Sequence, residues 1–111
     1  MTSFITKITD NVYLGNDDAA VEGFDSFERM ACISTSVPMP TNNVLLRIPI
    51  ADEEDIDDYY DLFEVFLDTD DDVLVYSGDG GIAALMLARY LEEVHDADDG
   101  WEMITDMVDW I

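Results

Sequence analysis

Hydrophobic and polar positions along the chain switch repeatedly between a period of two and a helical period. SFITKI, Ser3 to Ile8, alternates loosely, and NVYLGN, Asn11 to Asn16, carries Gly15 near its end, so both read as short strands, the second closed by a turn. Asp17 to Gly23 and Phe24 to Met30 read as short helical pieces, with Asp17 and Asp25 placed to act near their N-termini. ACIST, Ala31 to Thr35, is a compact apolar run suited to a buried strand. SVPMPTNN holds two prolines and reads as loop, and VLLRIPI follows as a strand ended at Pro49. From Asp55 onward Ile56, Tyr59, Tyr60, Phe63, Phe66 and Leu67 recur at helical spacing with acids between them, which predicts an amphipathic helix. DVLVYS, Asp72 to Ser77, predicts a strand, and GIAALMLARYLEEV, Gly81 to Val94, predicts a helix that is apolar nearly all round in its first turns and so largely buried. The closing stretch DADDGWEMITDMVDWI sets Trp101, Ile104, Met107, Val108 and Ile111 at helical spacing.

Strands alternating with helices predict a three-layer α/β domain: a sheet of four or five mainly parallel strands with helices on both faces. Residues 1–111 form one domain on this reading, because the chain is long enough for a single core and shows no internal repeat or linker. It begins MTSFITKITD, with no basic segment leading into a long apolar run, and no stretch reaches the roughly 18 apolar residues that a membrane span needs. A soluble protein with no membrane role is expected.

Charge changes the picture. There are 27 acidic residues against four basic ones, Lys7, Arg29, Arg47 and Arg89, and a formal net charge of −23. Carboxylates at that density repel one another and oppose the compact state. Molar salt shortens the screening length to roughly 3 Å and removes most of that opposition. Asp-rich, lysine-poor and interspersed with apolar residues, the sequence resembles the proteins of salt-in halophiles or their viruses, which implies a cytoplasmic or virion location. Binding to a nucleic-acid backbone is disfavoured, since it needs clustered Lys and Arg. The single cysteine, Cys32, excludes an intramolecular disulfide framework and suits a buried small hydrophobe on a strand. His95 stands near the end of the long helix, where its charge would suit the dipole.

Candidate chemistry concentrates at VYSGDGGIAAL, where a strand enters a glycine-rich turn and then an apolar helix. Such a loop holds anions on unpaired backbone N–H groups and the helix dipole, here through the backbone of Ser77, Gly78, Asp79, Gly80, Gly81 and Ile82. The stretch GDGGIA does not fit the dinucleotide fingerprint, the P-loop lysine is missing, and Val75 stands where a nucleophile elbow needs glycine.

Three blocks in order, ITDNVYLGNDDAA, IPIADEEDIDDYYDLFEVF and VLVYSGDGGIAALMLARYL, resemble the opening strand, the general-acid loop with its helix, and the phosphate loop of dual-specificity phosphatases. Together they cover roughly residues 5 to 91. The resemblance implies the phosphatase fold and a motif H-C-x-x-G-x-x-R. Tyr76 stands at the histidine, Ser77 at the nucleophilic cysteine, Gly80 at the glycine and Ala83 at the arginine, while Asp52 falls at the general acid. A serine hydroxyl is far less acidic than the family's thiolate. Alanine cannot clamp phosphoryl oxygens as the arginine does. These substitutions set the expectation that the chain is not an enzyme, binds phosphate weakly if at all, and acts as a protein-binding or structural module with a protein partner or larger assembly. The alternatives are an active phosphoester hydrolase of atypical mechanism using Ser77 and Asp52, and a rhodanese-like α/β domain.

No cofactor or metal is expected. DTDDDVLVYSGD shares alternating acids with an EF-hand loop but has Val73 where glycine is required and no glutamate at its twelfth position. Nine positions separate Trp101 from Trp110, about 180° on an ideal helix, so both cannot share the buried stripe. Trp110, beside the terminus, and Trp101 are therefore the interface candidates.

Overall fold

The computed structural model describes residues 3–33, 44–50 and 52–111. Strands β1 (Ile5–Lys7), β2 (Val12–Asn16), β3 (Arg29–Ile33), β4 (Val44–Ile48) and β5 (Val73–Ser77) form one sheet in the order β1-β2-β5-β3-β4. β1 runs antiparallel to β2, and every other neighbouring pair is parallel. The α-helices of the described residues are α1 (Asp17–Gly23), α2 (Ile56–Leu67), α3 (Gly81–Val94) and α4 (Gly100–Met107).

The strand VLVYS sits at the centre because it has apolar side chains for both faces, and all five of its residues are buried. Val73 and Val75 face one way with Val12, Leu14, Ala31, Ile33 and Ile48. On that face α2, α3 and α4 supply Phe63, Met86, Leu87, Leu91 and Ile104. Leu74 and Tyr76 face the other way and meet Met30, Cys32, Ala20 and Phe27. The layers are unequal as a result: three helices cover one face, and α1 with the turn that follows it covers the other. The predicted three-layer α/β arrangement is what the chain forms.

Two local expectations differ from the structure. Phe24 to Met30 does not form one helical piece, for only Phe24–Ser26 makes a tight turn before Arg29 and Met30 enter β3. Met30 packs beside Leu74 in the second core, and that burial outweighs a weak helical pattern. The closing stretch is helical only over Gly100–Met107, after which Val108 takes an extended conformation. The angular argument about Trp101 and Trp110 therefore does not apply, since Trp110 lies beyond the helix. The run predicted as loop, SVPMPTNN, and the end of ACIST at Ser34 and Thr35 lie outside the described residues.

Two of the four basic residues, Arg29 and Arg89, act on α2. The Arg89 guanidinium lies 4.6 Å over the Tyr60 ring and pairs with Asp57, which ties α3 to α2. Arg29 lies 5.2 Å over Phe66, donates to the Phe66 carbonyl at 3.3 Å and sits 3.6 Å from Asp71. Such half-exposed pairs each contribute about 0–1 kcal/mol. Their larger effect is placement, because they hold α2 against both α3 and the sheet. α4 is held to α3 by close approach: Gly100 lies so near the Ala88 carbonyl that a Cβ there would overlap it, and its N–H donates to Glu92 Oε2 at 2.8 Å.

Candidate functional site

β5 ends at Ser77 and α3 begins at Gly81, so the glycine loop lies at the carboxyl end of the central strand, where parallel sheets carry their ligand crevice. The chain turns at Gly80, whose φ of 88° is the left-handed conformation that glycine adopts without strain. The Gly80 N–H donates to the Ser77 carbonyl at 3.3 Å, and the Gly80 carbonyl starts the helix by accepting from Ala84 at 2.9 Å.

Ser77 is 1% exposed, and its Oγ accepts from the Ala83 N–H at 3.2 Å. The hydroxyl thus lies inside the loop, facing the amide six residues on. Asp79 Oδ1 accepts from the Gly81 N–H at 2.8 Å, so the loop's own carboxylate caps the start of α3. Tyr76 turns away into the second core, and Ala83 is fully buried on α3. Gly78 and Asp79 are exposed at the rim.

β2 contributes the adjoining wall. Asn16 pairs in register with Ser77, and the Asp17 N–H donates to the Gly78 carbonyl at 3.2 Å. Asn16 Oδ1 accepts from Phe4 N at 3.1 Å and from Ala19 N at 3.0 Å, fixing β1 and the start of α1 beside the loop. The Asp17 carboxyl is pushed above the ordinary carboxylate range by burial first, then by Asp18 and Asp79. Its ionisation therefore opposes folding fully above its raised value, and that opposition fades as pH falls through it.

Trp110 completes the surround. Its indole lies against Gly80, stacks on Phe4 at 5.4 Å and 11°, and donates from Nε1 to Thr6 Oγ1 at 2.9 Å. The ring is half-buried at the loop, whereas Trp101 is exposed on α4. Sequence reasoning singled out Trp110 but missed Phe4, Thr6 and Asn16. Asn16 had a local signal, a capping residue just before the acids of α1; Phe4 and Thr6 had none, being joined to Trp110 only through the fold. Asp52 is exposed in extended backbone after β4, with β3 and β4 the strands beyond β5 on that side of the sheet. Cys32 is buried in the second core, and His95 caps the end of α3, exposed and against Tyr90.

The loop can thus place a hydroxyl oxygen among backbone amides at a helix start. The only charged side chain within it is Asp79, and the acids Asp17 and Asp18 stand beside it. Among the described residues no group of three His, Cys, Asp or Glu side chains gathers as a metal site would require. No described helix is long and apolar enough to cross a membrane.

No family model and no curated protein matches the sequence. Solved structures do match the fold. Human DUSP28 superposes with a TM-score of 0.74 at 19% identity, over 93% of this chain and 80% of that one. DUSP15 gives 0.72 at 23% identity, over 92% of this chain and 72% of that one. Tk-PTP in the active form gives 0.74 at 13% identity, over 96% and 85%. The chain has the fold of the dual-specificity and tyrosine phosphatases. One expectation is corrected by these neighbours. The missing cysteine and arginine suggested that the chain is not an enzyme, but its fold, over nearly its whole length, is that of phosphatases, one of them in its active form. Loss of two motif side chains therefore does not decide against enzymatic activity.

The contact between Gly80 and Trp110 predicts a coupled pair. Gly80→Ala should destabilise by about 1–3 kcal/mol, because a Cβ there meets the indole in a backbone conformation that disfavours it. Introduced into Trp110→Ala, the same change should cost less, and denaturant melts of the four proteins of the cycle measure the difference. Strict additivity would show that the indole does not brace the loop.

Proposed function

We propose that this phosphatase-fold domain serves as a protein-binding module in concentrated salt, in the cytoplasm of a salt-in halophile or in the virion of a virus that infects one. The observation that carries the reading is where apolar side chains remain exposed. Of the seven large apolar side chains among the described residues that are more than two-fifths exposed, Ile5 and Ile111 lie elsewhere and five are on the helices: Leu62 and Val65 on α2, Val94 on α3, and Trp101 and Met103 on α4. They stand on the three-helix layer of a chain whose other surface positions are mostly acidic. In molar salt, attraction between charged surfaces is screened beyond about 3 Å, so recognition there rests on apolar contact and on ion pairs that touch. Exposed large apolar residues grouped on one layer meet that requirement.

Affinity capture in molar KCl, from an extract of the source organism, tests the reading. The wild-type domain should retain a partner that the double variant Leu62→Asp, Trp101→Asp loses while still melting cooperatively. Capture of the same set by both proteins would defeat it.

A second reading is favoured by the Ser77 hydroxyl, which is buried within the loop and accepts from the Ala83 N–H. On that reading the loop carries phosphoester chemistry through Ser77, with Asp52 as the acid. Turnover of an aryl phosphate in molar KCl by the wild type and not by Ser77→Ala would support it. Equal turnover by the two proteins, or none by either, would remove it.

A further inference from the structure

A cavity lies well away from the loop. It is a groove of about 920 Å³ at the other end of the sheet, between the β1–β2 turn, α2, the end of α3 and α4. Its floor is apolar: Ile8, Leu67 and Leu91 are buried there, and Val65, Val94 and Met103 project into it while remaining exposed. Val65 is 72% exposed, the most of any large apolar side chain among the described residues.

The rim has one sign. Asp10, Asp61, Glu64 and Asp68 surround the floor, and His95 is the one lining group able to carry positive charge. The carboxylates act on the groove itself: the Tyr90 hydroxyl in its wall is held above its ordinary value by burial first, then by Asp68 and Glu64. None of these acids is in an ion pair with the arginines that brace α2, which use Asp57, Glu93 and Asp71.

We propose that this groove seats a short amphipathic segment of a partner protein, its apolar side chains on the Ile8–Leu67–Leu91 floor and its Arg or Lys side chains against the rim carboxylates. The inference rests on the protein-binding reading and gives it a place and a chemistry. An apolar floor alone would accept any greasy segment. Four carboxylates at its edge penalise an acidic one by bringing like charges into contact, and favour a basic one through pairs close enough to survive screening. Seating an apolar stripe in a groove with charged flanks is a recurrent mode of peptide recognition.

Two labelled peptides of one apolar pattern, differing only in Arg or Glu at the polar positions, test this by fluorescence anisotropy with the full chain in molar KCl. The salt removes the general attraction of a protein of net charge −23 for any cation, so a preference reads the rim. The Arg peptide should bind at least tenfold more tightly than the Glu peptide, Val65→Asp should weaken it tenfold or more, and Glu64→Lys with Asp68→Lys should reverse the preference. Val21→Asp, on α1 across the sheet and outside the groove lining, should leave peptide binding unchanged. Equal affinity for the two peptides, no saturable binding, or binding indifferent to Val65→Asp would overturn the proposal. Because partner capture is read separately with Leu62 and Trp101 altered, a failure here with capture intact would move the partner to another part of the same layer.

Discussion

Repulsion among 27 carboxylates, opposed by only four cationic side chains, is the constraint on which the rest of the structure depends. The fold answers it by keeping the interior almost free of charge. Among the described residues Asn16 and Ser77 are the buried polar ones, and both lie where β2 and β5 meet the loop. The acids lie on helix surfaces and turns, where water and counterions reach them. With so few cations, placement matters more than number. Arg29 and Arg89 both brace α2, and the loop at Ser77 receives neither.

That distribution explains why the two ends of the sheet differ. At the carboxyl end of β5 the loop closes on itself: Asp79 caps Gly81, Ser77 Oγ meets Ala83, and Trp110 lies against Gly80. At the opposite end the β1–β2 turn and the three helices line a groove whose apolar floor remains open. The same charge balance acts on both ends. It places Asp17 and Asp18 beside the loop and sets Asp61, Glu64 and Asp68 around the groove, so an anion would meet like charge at either end.

Much of this was legible in the sequence because strong periodicity and burial agree. VLVYS has apolar residues at successive positions and is the central strand; Ile56, Tyr60, Phe63 and Leu67 keep helical spacing and form the buried stripe of α2. The loop was legible as well, since a strand, glycines and an apolar helix in succession leave few alternatives. Residues 27–30 were misread because their local pattern is weak and the second core decides their conformation. The tail past Met107 was misread because apolar spacing continues after the helix has ended, with Val108 extended and Trp110 packing back on Phe4. The groove was invisible, for its floor comes from the β1–β2 turn, α2, α3 and α4 together, and no window of sequence contains it.

The central claim is that a domain of phosphatase fold keeps its apolar layers together, and its groove open to a partner, because salt screens its surface. Thermal and denaturant melts of the full chain across a KCl series test it most directly. The account predicts a cooperative transition in molar KCl whose midpoint falls steadily as salt is withdrawn, ending in loss of the folded state at low ionic strength. A domain equally stable and cooperative without added salt would contradict it.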